Sequence, residues 1–211
     1  MTRRSLLTIV VACTLALIQA QAADPPTIGI VPFDVSTVQG SGGADAGRVL
    51  GTLVRVEMLK NKQIRPQLIE LPTGVRPPLT PQRAAELGKS AGVDLMLLGT
   101  VLEASSSRNN NRASTSRLGG IIGSSVGGSV TRTTAKISLH AELVESATAR
   151  SVDTFEVEAS NTDTGVGADL WSTLGNFNLG DDGWQKTPMG KALREAAQKL
   201  TTEVAKRAVK P

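Results

Sequence analysis

The first half of the chain alternates short apolar runs with a stretch in which apolar residues recur every three or four positions. Thr27 to Phe33, Arg65 to Leu71 and Val93 to Glu103 have the length of strands. The last of these runs is almost continuously apolar, as in a central strand covered on both faces. From Asp45 to about Lys60 the apolar residues recur at helical spacing. These segments predict three strands and one intervening helix.

A second helix is predicted over residues 81–91. Thr80 is a good N-cap, Pro81 suits the first helical position, and Gly92 suits the residue that ends a helix. The first half of the chain therefore has the order strand, helix, strand, helix, strand. That order is typical of an α/β fold.

The second half of the chain predicts a hairpin and a final helix. Thr131 to Val144 and Arg150 to Ala159 alternate apolar and polar residues on either side of a turn at 145–149, a pattern that predicts two antiparallel strands. Residues 187–209 carry an apolar stripe at helical spacing, which predicts an amphipathic helix that covers the sheet. The predicted fold class is α/β, with a mixed sheet, an antiparallel hairpin and a C-terminal amphipathic helix.

Two segments interrupt this order. Residues 104–130 are rich in Ser, Asn, Arg and Gly and predict a low-complexity insertion, a loop in one interpretation. A four-residue spacing of glycine, which also lets helices approach closely in membranes, recurs in it at Gly119, Gly123 and Gly127. Residues 161–185 follow no regular period. We expect residues 23–211 to form a single domain that contains both segments.

The N-terminus has the pattern of a secretory signal peptide over residues 1–22. A short basic start is followed by an apolar run from Ser5 to Ile18 and then by Ala-Gln-Ala. The run is shorter than the roughly 20 apolar residues that span a membrane. Cleavage is therefore expected between Ala22 and Ala23, which predicts a mature chain outside the cytoplasm.

Cys13 allows a second interpretation of the same segment. The residues before it, Val10-Val11-Ala12, superficially fit the pattern that precedes a lipidated bacterial cysteine. Only about eight apolar residues precede Cys13, however, and the apolar run continues beyond it to Ile18. Simple cleavage after Ala22 is the favoured prediction, and lipidation of Cys13 is the alternative.

Removing the signal peptide changes the charge of the chain. Loss of Arg3 and Arg4 leaves 21 of the 23 basic residues against 19 acidic ones, so the formal net charge falls from +4 to +2. The composition therefore gives little reason to expect a nucleic-acid partner. The only cysteine is also removed, so an intrachain disulfide cannot stabilise the mature fold.

The side chains available for catalysis are few. The chain has no Tyr, three Phe and two Trp, which disfavours sites that stack bases or sugars on aromatic rings. His140 is the only histidine and lies on the polar face of a predicted strand, which favours a solvated residue over a ligand or a base. With no Cys and one His in the predicted mature chain, a zinc site or a Cys/His pair cannot be assembled. We therefore predict no catalytic, cofactor-binding or metal-binding residues and expect a protein that is not an enzyme.

Four segments in order resemble one family, the curli production assembly/transport family of CsgG type. Ile28 to Asp34 resembles its first strand, and Ala84 to Val101 resembles its segment with a Gly-X-Asp before a central strand. Leu139 to Ala149 resembles its hairpin, and Thr187 to Arg194 resembles the start of its last helix. The resemblance spans nearly all of the mature chain.

The resemblance implies a periplasmic α/β domain near the outer membrane. In the best-known form of this family, subunits form a ring and each donates two β-hairpins to a shared barrel that exports amyloid subunits. The corresponding segments here are residues 104–130 and 161–184. Membrane hairpins need strands of about 9–11 residues with alternating apolar side chains. Residues 104–130 lack aromatic residues and begin with a polar, arginine-containing stretch, so these segments fit a pore poorly.

Three functional hypotheses follow. The leading one is a non-enzymatic assembly or accessory protein of the periplasm, related to curli-type secretion, whose partners are other envelope proteins or copies of itself. The second is an oligomeric secretion channel of the outer membrane. The third is a soluble activator of an envelope enzyme. The expected location is the periplasmic space bounded by the outer membrane, with association to that membrane as an open alternative.

Overall fold

The computed structural model describes residues 24–38, 44–112, 129–163 and 183–209. Over these residues the chain is a mixed α/β fold of five strands and three main helices, which confirms the predicted fold class. In chain order, the elements are β1 (Thr27–Ile30), α1 (Ala44–Met58), β2 (Arg65–Leu68), α2 (Pro81–Ala91), β3 (Leu95–Arg112), β4 (Ser129–Glu145), β5 (Ser151–Asp163), a short 3-10 helix (Trp184–Lys186) and α3 (Pro188–Ala208).

Helix α2 has the bounds that its capping residues predict. The Thr80 side chain accepts a hydrogen bond from the backbone N–H of Arg83 at 3.3 Å, and Pro81 occupies the first turn. Gly92 ends the helix with φ +68°, in the left-handed region that glycine adopts at little cost. Local sequence is therefore enough to define this helix.

The five strands form one sheet in the order β2-β1-β3-β4-β5. Strand β1 is parallel to both of its neighbours, β2 and β3, and the helices α1 and α2 make the two connections. Strands β3, β4 and β5 are antiparallel, with Leu97 opposite Leu143 and Leu139 opposite Val157. The sheet is therefore parallel on one side and a meander on the other, as the order of predicted elements indicated.

Helices cover the two faces of this sheet unequally. Alternate residues of β4, from Ala135 to Leu143, are fully buried beneath α3, in a core cluster that α1 completes. On the opposite face α2 packs over one end of the sheet, in a small cluster that includes Ala84, Met96 and Val144. The other side chains of β4 on that face are only half-buried. One face is thus a continuous core, and the other is partly open.

One arginine near the C-terminal end of α3 contacts two residues of β5. The guanidinium of Arg207 lies 4.1 Å from the centre of the Phe155 ring, and its Nε donates to Asp153 at 2.6 Å. A second contact reaches the Glu203 carboxylate one turn earlier on the same helix. Contact with a ring and two carboxylates fixes how α3 lies on the sheet.

The hairpin strands are longer than the sequence predicts. Residues 104–112 and 129–130 belong to β3 and β4, and Asp163 ends β5 four residues later than predicted. The loop interpretation of residues 104–130 is wrong at both of these ends. Cross-strand pairing continues from Ala104 opposite Ile137 to Arg112 opposite Ser129, so backbone hydrogen bonds override the weak strand preference of Ser and Asn. Residues 113–128, with the spaced glycines, lie outside the described residues.

Several other ends of predicted elements also shift. Strands β1 and β2 each end three residues earlier than predicted, at Ile30 and Leu68. Helix α1 ends at Met58, two residues before the predicted end, and β3 begins at Leu95, two residues late. Residues that follow the hydrogen-bonded part of a short parallel strand can remain buried and are therefore apolar. Hydrophobicity alone for this reason predicts such strands to be longer than their paired segments.

Where β1 leaves the sheet, its chain passes between helix α1 and strand β3. The backbone N–H of Phe33 donates to the carbonyl of Gly47 at 3.0 Å, and that of Asp34 donates to Gly99 at 2.8 Å. The Phe33 ring is buried directly over Gly99, where an added Cβ would lie 2.1 Å from the ring. A Cβ on Gly47 would lie 2.1 Å from the Phe33 carbonyl oxygen. Both glycines are therefore required by close approach.

Replacing Gly99 should reveal the contact with the Phe33 ring. We expect Gly99→Ala to lower the free energy of unfolding by about 1–3 kcal/mol through overpacking, and Phe33→Ala to lower it by about 3–5 kcal/mol through a cavity. The double variant should lose clearly less than the two losses added together, because the new methyl group then faces the space that the ring vacates. Chemical denaturation of the four proteins measures this coupling.

The matched control is Gly51→Ala in helix α1, where the nearest atom to an added Cβ is 3.3 Å away. Alanine gains about 1 kcal/mol over glycine in a helix, so this variant should be far less damaging than Gly99→Ala. Additive losses in the double variant would contradict the proposed contact.

Candidate functional site

We call the partly uncovered side of strands β3, β4 and β5 the open face. The register places alternate residues of each strand on it: Leu98, Thr100 and Glu103 from β3, Lys136, Ser138, His140 and Glu142 from β4, and Thr154, Glu156 and Glu158 from β5. A bulge between Val101 and Glu103 shifts the alternation by one residue. That bulge is why both Thr100 and Glu103 lie on this face.

A charged ladder crosses the open face. The ammonium group of Lys136 lies 3.2 Å from a carboxylate oxygen of Glu103 and 3.2 Å from one of Glu158. These two carboxylates raise the pKa of the Lys136 ammonium group. A hydrogen bond from the Ser105 hydroxyl, and then the contacts with Lys136, lower the pKa of Glu103. The ladder thus ties three strands together on their solvent side.

His140 lies beside this ladder on the same face. Its Nδ1 is 3.7 Å from a carboxylate oxygen of Glu156, and 39% of its side chain is exposed. The structure confirms the prediction of a histidine on the polar face of a strand. Its ring is placed to contact an acidic neighbour.

A pocket of about 230 Å³ opens at the edge of the open face, where the connector between β2 and α2 crosses the sheet. We call it the proline pocket. Its apolar side is formed by Pro32, Pro77, Pro78 and Leu98, and its polar side by Thr100, His140 and Glu142. It therefore combines an apolar wall with an acidic one.

Sequence reasoning did not find the proline pocket. The signals available were the two adjacent prolines of the connector and the alternation that places His140 and Glu142 on one face. Neither signal indicates that the connector returns to lie against that face. Only the tertiary fold brings Pro77 and Pro78 to β4.

A second concave surface lies on the opposite side of the molecule, between α1 and α3. Two pockets of about 410 and 480 Å³ share Glu57, Lys60 and Gln198. The Glu57 carboxylate is buried, and both of its oxygens accept from Lys60 at 2.7 Å. This groove is polar, and its buried acidic group is already neutralised.

The end of the β3–β4 hairpin is polar on both sides. Ser105, Ser107 and Asn109 lie on the side of the open face, Ser106 and Arg108 lie on the other, and all five are exposed. A hairpin arm that faces lipid needs one apolar side. The described ends of β3 and β4 therefore have the composition of a surface in contact with water.

The described residues contain no group of three or more His, Cys, Asp or Glu side chains placed to hold a metal ion. Within the same ranges, no helix has both the length and the apolar character needed to cross a membrane. Cys13 and the two residues of the predicted cleavage site, Ala22 and Ala23, lie outside the described part of the chain.

The ladder makes a prediction about pH. Since the folded-state pKa of Glu103 lies below its ordinary value, its contacts stabilise the fold above the ordinary pKa of glutamate and are lost as the pH falls through the lowered value. We expect Ser105→Ala and Lys136→Ala each to raise the pKa of Glu103, as measured by carboxyl ¹³C NMR titration. Arg83→Ala, which removes the partner of Glu86 on α2, is the matched control. An unchanged pKa in both ladder variants would contradict the assignment.

Comparison with known proteins confirms the resemblance found in the sequence. A family model described as "Curli production assembly/transport component CsgG" matches residues 70–210. No curated protein matches the chain. The matched residues run from the end of the first parallel strands through the whole meander to α3.

One of the solved structures similar to this chain has the same fold. A hypothetical protein from Chlamydia trachomatis superposes with a TM-score of 0.55 at 9% identity, over 87% of this chain and 98% of that chain. A PelC variant from Paraburkholderia phytofirmans, solved as a dodecamer, gives a TM-score of 0.44 at 13% identity, over 88% and 91%. A lipoprotein from Neisseria meningitidis gives 0.40 at 16% identity, over 71% and 92%. Because the family model covers more than half of the sequence, the chain belongs to the family of the curli production assembly/transport component CsgG.

Proposed function

We propose that this chain is a non-enzymatic assembly or accessory protein of the periplasm, related to curli-type secretion. The family match supports a role of this kind at the cell envelope. The single structural observation that carries the proposal is the open face, a charged and partly uncovered surface across three strands. Its function is to dock other envelope proteins or further copies of the chain.

The chemistry of the open face suits recognition better than catalysis. Lys136, Glu103 and Glu158 are held in place by one another and by the strands beneath them. Fixed charges on a rigid sheet steer association and select partners with a complementary pattern. General acid–base catalysis would instead need a group held against a reacting atom in an enclosed site. His140 and its neighbours lie at the surface of the sheet.

Export through a membrane channel is the second candidate. The observation that favours it is the continuation of β3–β4 pairing to Arg112 and Ser129, in the segment that corresponds to a pore hairpin of the family. Against it, the described arms are polar on both sides. The sixteen residues 113–128 are also too few for two membrane strands of about 9–11 residues and a turn.

Fractionation of cells that make the full chain distinguishes the two candidates. For the accessory protein we expect a mature chain that begins at Ala23 by intact mass, recovery with the periplasmic fraction, and a small particle in mild detergent. The physical reason is that cleavage after Ala22 removes Cys13 and the apolar run around it, and that the described ends of the β3–β4 hairpin strands are polar.

Cys13→Ser is the matched variant, because it removes the lipidation site and leaves the cleavage site intact. For the accessory protein, processing and fractionation of this variant should equal those of the native sequence. A lipid-modified Cys13, together with a large detergent-dependent particle in the outer membrane, would overturn the proposal and assign the chain to export.

A further inference from the structure

The proline pocket has the size of a site for one side chain. Its volume of about 230 Å³ lies below the roughly 300–1,000 Å³ of pockets for small-molecule ligands. Three prolines supply rigid apolar contacts, and Leu98 and Glu142, which lie opposite each other on β3 and β4, supply a further apolar contact and a carboxylate. An occupant should therefore be narrow, with an apolar stem and a polar end.

The ion pairs of the open face indicate which charge the polar end of the occupant should have. Glu103 and Glu158 share one lysine, and Glu156 faces His140. Glu142 is the acidic side chain on this face that has no ion pair with any residue of the described ranges. It is also the acidic side chain that lines the pocket. The pocket therefore presents an unbalanced negative charge.

A cationic side chain satisfies both features of the pocket. The methylene stem of arginine or lysine packs on apolar surface while the charged end reaches a polar group. A half-buried carboxylate beside apolar walls attracts such a cation more strongly than one surrounded by water. The Thr100 hydroxyl and the His140 ring lie next to Glu142 and offer further polar contacts.

We propose that the proline pocket binds an arginine or lysine side chain of a partner polypeptide, with the stem against Pro77, Pro78 and Leu98 and the cation on Glu142. That the occupant belongs to another chain rests on the docking role proposed for the open face. Binding of the free side-chain compound tests the pocket itself, so its failure can be told apart from a failure of the proposed function.

NMR titration of the ¹⁵N-labelled protein with N-acetyl-arginine amide tests the site directly. We expect saturable shifts of the backbone amides of Leu98, Thr100 and His140, with a Kd of about 1 mM for a single side chain. N-acetyl-norleucine amide has the stem without the charge, and guanidinium chloride has the charge without the stem. Each should bind clearly more weakly than the arginine compound.

Two matched variants test whether the Glu142 carboxylate binds the cation. Glu142→Gln should weaken binding of N-acetyl-arginine amide by about three- to tenfold, since it removes a charged acceptor but keeps the shape. Glu195→Gln removes a carboxylate from α3, away from the open face and the pocket, and should change the Kd by less than about twofold. A ¹⁵N–¹H spectrum of each variant checks that the fold is intact.

Three results would overturn the proposal. The first is absence of saturable binding up to about 50 mM of the arginine compound, far above the expected Kd. The second is equal affinity of the Glu142→Gln variant and the native protein. The third is tighter binding by Arg76→Ala, because it would mean that the arginine preceding Pro77 fills the pocket in the free protein.

Discussion

The architecture depends on the place where Phe33 passes between Gly47 and Gly99. Two backbone hydrogen bonds and one buried ring join β1, α1 and β3 at this point, and neither glycine has room for a Cβ. In a chain with three Phe and two Trp, one large ring packs against Gly99 while Gly47 packs against the backbone of the same residue, and this close fit contributes to the shape complementarity of the core. Asp34 extends the junction, because Val101 donates to its carbonyl at 2.8 Å.

This junction also determines which part of the sheet stays uncovered. Anchoring α1 beside β1 leaves room for α3 on the same face, so two helices complete one core. Among the described residues, only α2 and the connector between β2 and α2, which contains Pro77 and Pro78, cover the other face. The open face and the proline pocket are therefore consequences of an uneven distribution of helices rather than separate additions to the fold.

The sequence predicted the parts of the fold that depend on local chemistry. The caps of α2 and the alternation of β4 are local signals, and both were correct. The extension of β3 through residues 104–112 depends on pairing with β4. The residues in it are mostly polar and have a weak strand preference, so the sequence pattern did not predict it. The pocket depends on Pro77 and Pro78 meeting His140, residues more than sixty positions apart, and periodicity carries no information about such a contact.

The edges of the sheet indicate why recognition should use its face. Strand β2 at one edge contains Pro66, which cannot donate a backbone hydrogen bond to an added strand. Strand β5 at the other edge carries four acidic residues and no basic one, so two copies of it would repel each other. Both edges therefore oppose extension of the sheet by a second copy. The open face has no such protection, and Glu142, the acidic side chain on it that has no ion pair with a described residue, lies in a pocket with rigid walls.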